Sequence, residues 1–155
     1  MITAVDIRKQ HIVFLRAAEP AAAIKELTAA AFTASLVRDP AAFAAALVER
    51  ERLDSTGFGR EAALPHAPRP DIADLFLMVG LAAAPIPWNA LDHQPVRAVF
   101  LIGQPAAPAA AETANSRYLH LVSELMLLVK DAQRRRALFA AQTPAAALRI
   151  LTTAT

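Results

Sequence analysis

Apolar residues recur at helical spacing in two early segments of the chain. After Pro20 they recur every three or four positions to about residue 37, and after Pro40 they do so to about residue 53. Proline is favoured at the first position of a helix, and an acidic side chain just before it can accept a hydrogen bond from the exposed amides. The sequence therefore predicts two consecutive helices, the second of them capped by Asp39.

Elsewhere the apolar residues form short, nearly continuous runs that predict strands. Most of these runs are rich in β-branched and large apolar residues, and the lack of alternation with polar residues indicates burial on both faces. The predicted strands are residues 11–15, 62–65, 75–81 and 96–102. The glycines and prolines between residues 52 and 70 predict loops around the second of these strands.

Helical spacing returns in the last third of the chain. It predicts a long helix over residues 112–130, followed by a short one that Asp131 caps and that runs through residue 142. A last helix is expected to begin at Pro144, with Thr143 as its cap. The chain therefore ends in a helical region.

The order of these elements indicates the fold class. A strand, two helices, three strands and then further helices place buried strands between helices. The economical packing is an α/β three-layer sandwich, with a mixed central β-sheet and helices on both faces. The alanines and prolines of residues 104–111 predict a flexible connection within it. A chain of 155 residues is the size of one ordinary domain, so residues 1–155 are expected to form a single one.

Composition and charge exclude several classes of protein. Hydrophobic residues make up 55% of the chain and cysteine is absent, which excludes a disordered tail and a disulfide scaffold. The net charge is only +2, and the densest basic run, residues 134–136, is typical of a solvated helix face, so no nucleic acid is expected. No apolar run reaches the roughly 18 residues of a membrane-spanning helix. The expectation is a cytoplasmic protein without direct membrane insertion.

The sequence contains no pattern typical of a metal or nucleotide site. Its four histidines include no pair at the spacing of a helical metal site. The Gly-Phe-Gly segment at residues 57–59 lacks the third glycine and the Lys-Ser/Thr ending of a phosphate-binding loop. We therefore expect neither a metal nor another cofactor.

One dense stretch carries groups suited to phosphate chemistry. Residues 50–59 read Arg-Glu-Arg-Leu-Asp-Ser-Thr-Gly-Phe-Gly, and residues 62–67 read Ala-Ala-Leu-Pro-His-Ala. Proline fixes the exit from the predicted strand and presents His66 to a partner, and imidazole is a nucleophile that can hold a phosphoryl group. The glycine-rich turn can bring backbone amides and the hydroxyls of Ser55 and Thr56 toward an anion. An isolated Pro-His pair would more often be a surface or core histidine.

Several motifs together carry a family likeness. The pattern Arg-Glu-x-Leu-x-Ser-Thr-Gly-x-Gly, then an apolar residue and Pro-His-Ala, resembles the enzyme IIA domain of the phosphoenolpyruvate-dependent sugar phosphotransferase system, in its fructose/mannitol and nitrogen-regulatory class. The similarity extends over nearly the whole chain. It includes Asp-His-Gln-Pro-Val at residues 92–96, Leu-His-Leu-Val-Ser-Glu-Leu at residues 119–125 and Leu-Phe-Ala-Ala-Gln-Thr-Pro at residues 138–144.

The resemblance implies a phosphotransferase component with a phosphohistidine intermediate. His66 would accept a phosphoryl group from a small HPr-like phosphocarrier protein. It would relay the group to a IIB component or hold it as a signal for a regulatory target protein. Arg50 and Thr56 match family positions that line the phosphorylation pocket, where a guanidinium can pair with phosphoryl charge and a hydroxyl can donate to a phosphoryl oxygen. Ser55 is expected either in that pocket or as a turn-stabilising hydroxyl.

The chain departs from the family pattern at one important position. Family members usually carry a second active-site histidine before the leucine of the late helix, and this residue is Tyr118 here. His120 lies two residues further, about 200° around a helix, and is expected to face away from the pocket. A tyrosine hydroxyl can donate a hydrogen bond to a phosphoryl oxygen but supplies no positive charge. His93 also stands where the family prefers glycine.

Two functional hypotheses follow. The first is phosphoryl transfer through His66. A nitrogen-type regulator is favoured over a sugar permease component, because the chain has the length of one IIA domain. A sugar-transport component encoded beside a separate transporter would look the same. The absence of cysteine excludes a fused IIB portion of the cysteine-phosphorylated kind. The alternative is a non-catalytic binding or sensory module that keeps the IIA fold but transfers phosphate poorly, because Tyr118 replaces the second histidine. The presence of Arg50, Thr56 and His66 favours the first hypothesis.

Overall fold

The computed structural model describes residues 1–106 and 108–154, without the side chains of residues 108–112 and 114. Within these residues the chain forms six strands and five α-helices. The strands are β1 (Ile12–Leu15), β2 (Gly57–Gly59), β3 (Ala62–Ala63), β4 (His66–Arg69), β5 (Phe76–Ile86) and β6 (Val96–Pro105). The helices are α1 (Pro20–Thr33), α2 (Pro40–Leu53), α3 (Pro108–Lys130), α4 (Ala132–Phe139) and α5 (Pro144–Thr152).

The six strands belong to one mixed sheet. Its order is β1, β5, β6, β3, β2, and β4 pairs with β6 beyond β3. β5 and β6 run antiparallel, whereas β1 runs parallel to β5, and both β3 and β4 run parallel to β6. β3 lies beside Ala98 and Val99, and β4 follows beside residues 102–105. The predicted mixed central sheet is confirmed.

Helices cover both faces of this sheet and enclose two hydrophobic clusters. On one face α1 and α2 bury residues such as Ile24 and Phe43 against Phe76. On the other face the helices α3, α4 and α5 bury residues such as Leu121 against Phe100. The rings of Phe43 and Phe76 meet edge to face, with centroids 6.0 Å apart. The predicted three-layer α/β sandwich is therefore confirmed.

The side-chain caps predicted for three helices are confirmed. Asp39 accepts a hydrogen bond from Ala42 N–H at the start of α2, at 3.0 Å. Asp131 and Thr143 accept from amides in the first turns of α4 and α5. Each cap satisfies an amide that has no partner within its own helix, so these polar residues fix where the helices begin.

α1 is shorter than the sequence pattern predicts. The apolar spacing continues to about residue 37, but the helix ends at Thr33. Ser35 follows with a φ of 62°, the left-handed conformation that commonly terminates a helix. Val37 is nevertheless buried in the cluster on the α1–α2 face. The residues beyond the helix end therefore still contribute to the core.

The segment between α2 and β5 contains more sheet than predicted. The sequence predicts one strand at residues 62–65, whereas the structure has β2, β3 and β4 in this segment. β3 stops at Ala63, because Pro65 has no N–H to offer to the sheet, and pairing resumes at His66. The Pro65 carbonyl still accepts a hydrogen bond from Ile102 N–H, at 2.9 Å. His66 therefore begins a strand, and the expectation that it leaves the end of one is wrong.

The two central strands and α3 are longer than predicted. β5 extends to Ile86, β6 extends to Pro105, and α3 begins at Pro108. The prediction of a flexible connection at residues 104–111 is therefore wrong where the structure describes the chain. Residue 107 lies outside the described residues.

The basic run at residues 134–136 is more than a solvated helix face. Arg134 donates to the Ile150 carbonyl near the end of α5, and Arg135 donates to the Val129 carbonyl near the end of α3, each at 2.6 Å. Carbonyls in the last turn of a helix have no partner within the helix, and arginine side chains satisfy them here. Two of these arginines thus join the ends of neighbouring helices.

Candidate functional site

His66 lies half-buried at the start of β4, where the backbone just before it orients the ring. Its Nδ1 is 2.9 Å from the Leu64 carbonyl oxygen. A carbonyl oxygen can only accept, so Nδ1 carries the proton and donates it in this contact. Nε2 therefore has the free lone pair and is the nitrogen available as a nucleophile.

Tyr118 of α3 packs beside His66. The two ring centroids are 5.6 Å apart, and the ring planes are inclined by 38°. Burial raises the pKa of the Tyr118 hydroxyl above its usual value, and the positive charge of Arg50 opposes this rise in part. The hydroxyl is therefore protonated at neutral pH and can donate one hydrogen bond.

Arg50 reaches the same place from the last turn of α2. It is exposed, and its charge acts on the Tyr118 hydroxyl. Among the described residues, no ion pair includes Arg50, so its charge is available to an anion. The structure thus brings together Arg50, His66 and Tyr118, which come from α2, the sheet and α3.

Thr56 makes its side-chain hydrogen bond to Glu51. The Glu51 carboxylate accepts the Thr56 N–H at 3.1 Å and also the Thr56 hydroxyl. The indole N–H of the buried Trp88 donates to the same carboxylate at 3.1 Å. The Thr56 hydroxyl proton is therefore engaged within the protein, and Glu51 fixes the turn that leads from α2 into β2.

Ser55 stabilises this turn locally. Its hydroxyl oxygen accepts a hydrogen bond from Gly57 N–H at 3.1 Å, which corresponds to the turn-stabilising role considered for it. Gly57 is closely packed, since a Cβ atom added there would lie 2.8 Å from the Cβ of Ala90. Glycine is required at this position because there is no space for a side chain. Ala90 thus packs directly against the turn at Gly57.

His120 belongs to a different cluster. Its Nε2 lies 3.2 Å from Glu124 Oε1 and 3.3 Å from the Thr3 hydroxyl oxygen. Glu124 also accepts hydrogen bonds from the backbone amides of Thr3 and Ala4. The contacts of His120 therefore join α3 to the N-terminal segment and do not involve His66.

The sequence pattern did not mark Glu51 or Trp88 as functional residues. Glu51 belongs to the Arg-Glu pair of the sequence motif, so the motif itself could have indicated a role for this residue. Trp88 lies 37 positions away in the chain, and nothing in its local sequence points to the turn. Their contact is a property of the tertiary structure.

We expect Glu51→Gln to loosen this turn. The amide keeps one acceptor oxygen in place of two, so a donor of Thr56 or Trp88 loses its partner, and stability should fall by about 1–3 kcal/mol. Urea unfolding followed by fluorescence measures this effect directly, because Trp88 is the only tryptophan in the chain.

Glu49→Gln is the matched control for this substitution. Glu49 is exposed and pairs only with Arg52 at the surface, so its loss should change stability by less than about 0.5 kcal/mol. Equal stability of the two variants, with unchanged Trp88 emission in both, would contradict the role assigned to Glu51.

The described residues form neither a metal-binding cluster nor a membrane-spanning helix. Among residues 1–106 and 108–154, no three histidine, cysteine or acidic side chains lie close enough together to hold a metal ion. No helix in the same ranges is both long enough and apolar enough to cross a membrane.

The α/β sandwich of this chain is also the fold of solved enzyme IIA structures. The chain superposes on nitrogen regulatory protein IIA-Ntr from Neisseria meningitidis with a TM-score of 0.80 and 22% identity, over 94% of this chain and 95% of that one. IIA mannitol from Escherichia coli gives a TM-score of 0.78 and 16% identity, over 96% of this chain and 100% of that one. At these identities the likeness establishes the fold.

The sequence establishes the family. Residues 7–154 match the family model described as "Phosphoenolpyruvate-dependent sugar phosphotransferase system, EIIA 2", and the chain belongs to this family. IIA domains of this kind are components of a phosphotransferase, so the resemblance drawn from the motifs is confirmed.

Curated relatives fall into both branches of the family. A nitrogen regulatory protein of Bradyrhizobium diazoefficiens is 30% identical over 109 residues, which cover 70% of this chain and 67% of that protein. One from Pseudomonas aeruginosa is 32% identical over 105 residues, with 68% and 64% covered. The fructose-specific EIIABC component of Bacillus subtilis is 30% identical over 128 residues, 83% of this chain but only 19% of that protein.

Proposed function

We propose that the protein accepts a phosphoryl group on Nε2 of His66 from an HPr-like phosphocarrier protein, and relays it or uses it as a regulatory signal. The observation that carries this proposal is the hydrogen bond from His66 Nδ1 to the Leu64 carbonyl, which leaves the Nε2 lone pair free. The proposed step involves no metal or other cofactor, because an imidazole nitrogen is itself a nucleophile.

The transfer step balances without a further reactant. The Nε2 lone pair of His66 attacks the phosphorus atom of the carrier's phosphohistidine. The new N–P bond forms as the carrier's N–P bond breaks, and the electron pair of the broken bond returns to the carrier's imidazole. The His66 ring becomes cationic in this step while Nδ1 keeps its proton, and the Leu64 carbonyl stabilises that N–H.

The neighbouring groups suit the charge of the phosphoryl group. Arg50 supplies a positive charge to its oxygens, and the protonated Tyr118 hydroxyl donates a hydrogen bond to one of them. Thr56 and Ser55 contribute mainly by shaping the turn beside the site, since Glu51 and Gly57 engage their hydroxyls. Arg50 and His66 thus carry the chemistry, and the hydroxyl residues support its geometry.

The proposed partners of the protein are the phosphocarrier and one downstream acceptor of the phosphoryl group. IIA mannitol of Escherichia coli has been solved in complex with phosphorylated IIB mannitol, and this structure superposes on the chain with a TM-score of 0.77 at 15% identity. A IIB component or a regulatory target is therefore the expected acceptor. We place the protein in the cytoplasm, with residues 1–155 as a single domain, and expect no nucleic acid and no membrane insertion.

A regulatory role is supported by two nitrogen regulatory relatives. They are 30% and 32% identical and are matched over 67% and 64% of their length. The sugar-type relatives are matched less completely: the fructose-specific EIIABC component over 19% of its length and the fructose-like EIIA component of Escherichia coli over 55%. On the more complete matches to the regulators we favour a nitrogen-type regulator over a sugar permease component.

The proposal is tested by reconstituting the transfer. The protein is incubated with phosphoenolpyruvate, enzyme I and the cognate phosphocarrier, and its intact mass is then measured. We expect one acid-labile phosphoryl group, located at His66 by peptide mapping and assigned to Nε2 by nitrogen-detected NMR. No phosphorylation with any cognate carrier, or phosphorylation of another residue, would overturn the proposal.

A second candidate function rests on Tyr118. A neutral hydroxyl stands where the family usually has a second histidine, and this favours a binding or sensory module that keeps the fold but transfers phosphate poorly. Such a module would be phosphorylated slowly or not at all in the reconstituted system, whereas the leading proposal requires phosphorylation to completion. The same experiment therefore separates the two functions.

Substitutions of Tyr118 measure how much this position matters. Tyr118→His restores an imidazole that can donate a charge-assisted hydrogen bond, so the rate of His66 phosphorylation should rise about tenfold. Tyr118→Phe removes only the hydroxyl and should lower the rate by roughly fivefold. Single-turnover transfer from the phosphorylated carrier gives both values. Unchanged rates and extents in both variants would show that Tyr118 has no role in the transfer.

A further inference from the structure

Arg97 is half-buried and lines a small cleft. Its Nε atom is buried and has no hydrogen-bond partner among the described residues. The ion pairs within those residues all involve other cationic side chains. The guanidinium carbon lies 5.2 Å from the centre of the Phe139 ring, so its one described partner is an aromatic face. A buried donor of this kind ordinarily has an acceptor.

A large bulge in β5 forms part of the cleft wall. Leu81 pairs with Ala98 and Ile86 pairs with Val96, so four residues of β5 stand opposite Arg97 alone. These four residues, 82–85, are three alanines and a proline. Because their side chains are small, the bulge leaves space next to the arginine. The sheet thus departs from regular pairing at the position where Arg97 lies.

The cleft is small and has no negative charge in its wall. Its volume is about 120 Å³. Its wall contains one amide side chain, Gln142, and no acidic residue, so Arg97 sets the local charge. The residues that line the cleft include Phe14, Ala82, Ala83, Arg97, Phe139 and Gln142.

We propose that this cleft binds a small oxyanion of the phosphate or carboxylate type. A guanidinium presents planar N–H donors that match two oxygens of such an anion, and the Gln142 amide can supply another donor. A volume of about 120 Å³ is several times the roughly 10–15 Å³ that a single bound water molecule needs. It accommodates a phosphate ion or a carboxylate group, and it is too small for a nucleotide.

The cleft is separate from the site at His66. β6 carries Arg97 near its start and Ile102, the partner of His66, five residues later. At about 3.3 Å per residue the two positions are roughly 17 Å apart along the strand. An anion in the cleft therefore does not contact the phosphorylation site, and the two sites can be tested independently.

The test is a titration of the intact protein followed by NMR of the arginine Nε–H signals. Sodium phosphate and sodium acetate are added in separate series, and sodium chloride at matched ionic strength is the reference. We expect a saturable shift of the Arg97 signal with phosphate, acetate or both, and none with chloride. Which anion binds more tightly assigns the ligand to the phosphate or the carboxylate class.

Variants locate the binding. Arg97→Met keeps the length of the side chain but removes the donors, and it should weaken anion binding at least tenfold, measured from the backbone amides around Gln142. Ala83→Leu fills the cleft while it retains the arginine, and it should have the same effect. Arg136→Met is the control, because Arg136 is an exposed arginine of the nearby α4 whose guanidinium donates to the Ala132 carbonyl. It should bind as the unmodified protein does.

Phosphate can also bind near Arg50, and two variants distinguish this binding from binding in the cleft. Arg50→Met should remove shifts around His66 and leave those at Arg97 unchanged, whereas Arg97→Met should do the reverse. An Arg97 signal that responds to chloride as strongly as to phosphate and acetate would overturn the oxyanion site. Anion binding that persists at full strength in Ala83→Leu and Arg97→Met would also overturn it. Neither result bears on phosphorylation of His66.

Discussion

Replacing His66 with alanine should abolish phosphorylation by the carrier completely. Among the described residues no second imidazole contacts this site, because His120 is bound to Glu124 and Thr3, so we expect no other acceptor to replace His66. The loss should be total within the detection limit of intact mass spectrometry, under conditions that phosphorylate the unmodified protein fully. The fold should remain, since His66 is only half-buried and the sheet at β4 is held by backbone pairing.

His120→Ala is the matched control for that experiment. It removes an imidazole from the same protein but from the cluster that joins α3 to the N-terminal segment. Phosphorylation should proceed to the same extent as in the unmodified protein. Residual phosphorylation of His66→Ala that disappears in the double variant would show that His120 can accept the group, and would contradict the site described for His66.

Replacing Arg50 with methionine should slow the transfer about a hundredfold. The charge of Arg50 acts on the Tyr118 hydroxyl, and Arg50 has no ion-pair partner among the described residues, so we expect its charge to act on the arriving phosphoryl group. Removing one preorganised donor from a site of developing charge typically lowers a rate by this order. Rapid-quench single-turnover transfer from the phosphorylated carrier measures the rate, and the final extent shows whether the equilibrium has also moved.

The chain offers a close control for Arg50. Arg52 lies two residues further on the same helix, is 76% exposed and pairs with Glu49. Arg52→Met should change the transfer rate by less than about twofold, because a surface ion pair of this kind contributes little. Arg50→Lys retains the charge but loses the planar pair of donors, and it should give an intermediate rate. Equal rates for Arg50→Met and Arg52→Met would remove Arg50 from the mechanism.

Much of the fold is encoded locally and could be predicted. Pro40 and Pro144 mark the first residues of α2 and α5, and the side chains just before them form the expected caps. Such signals depend on neighbouring residues only, so the sequence is sufficient to place them. The continuous apolar runs of β5 and β6 are likewise visible in the sequence, although their ends extend beyond the apolar residues.

The short strands β2 and β4 beside His66 could not be predicted, because their pairing is a property of the sheet, whereas β3 falls within the strand predicted at residues 62–65. β2, β3 and β4 contain two to four residues each and include glycine, proline and alanine, which are depleted in strands. They become strands because β6, about 30 to 40 residues later in the chain, offers a free edge to β3 and β4. A local pattern contains no information about that edge.

The candidate site likewise combines residues that the sequence motifs indicate with contacts that depend on the tertiary structure. Arg50, His66 and Tyr118 are found together, as the motifs implied, but the contacts of Thr56 depend on Glu51 and the distant Trp88.

The backbone at His93 gives a physical reason for the glycine of the family pattern at this position. Its φ is 58°, a conformation that glycine adopts most easily, and the chain tolerates histidine there because the residue is exposed. The sequence pattern identified the residue types, and the structure supplied their partners.

Under the proposed function, the layered arrangement would make phosphorylation a test of the folded state. Arg50 comes from the helices on one face, Tyr118 from those on the other, and His66 from the sheet between them. Local unfolding of either layer would leave His66 on the sheet but separate it from one of its two neighbours. A molecule in such a partly open state would accept phosphate slowly, so the phosphorylated population reports on molecules in which both layers are docked.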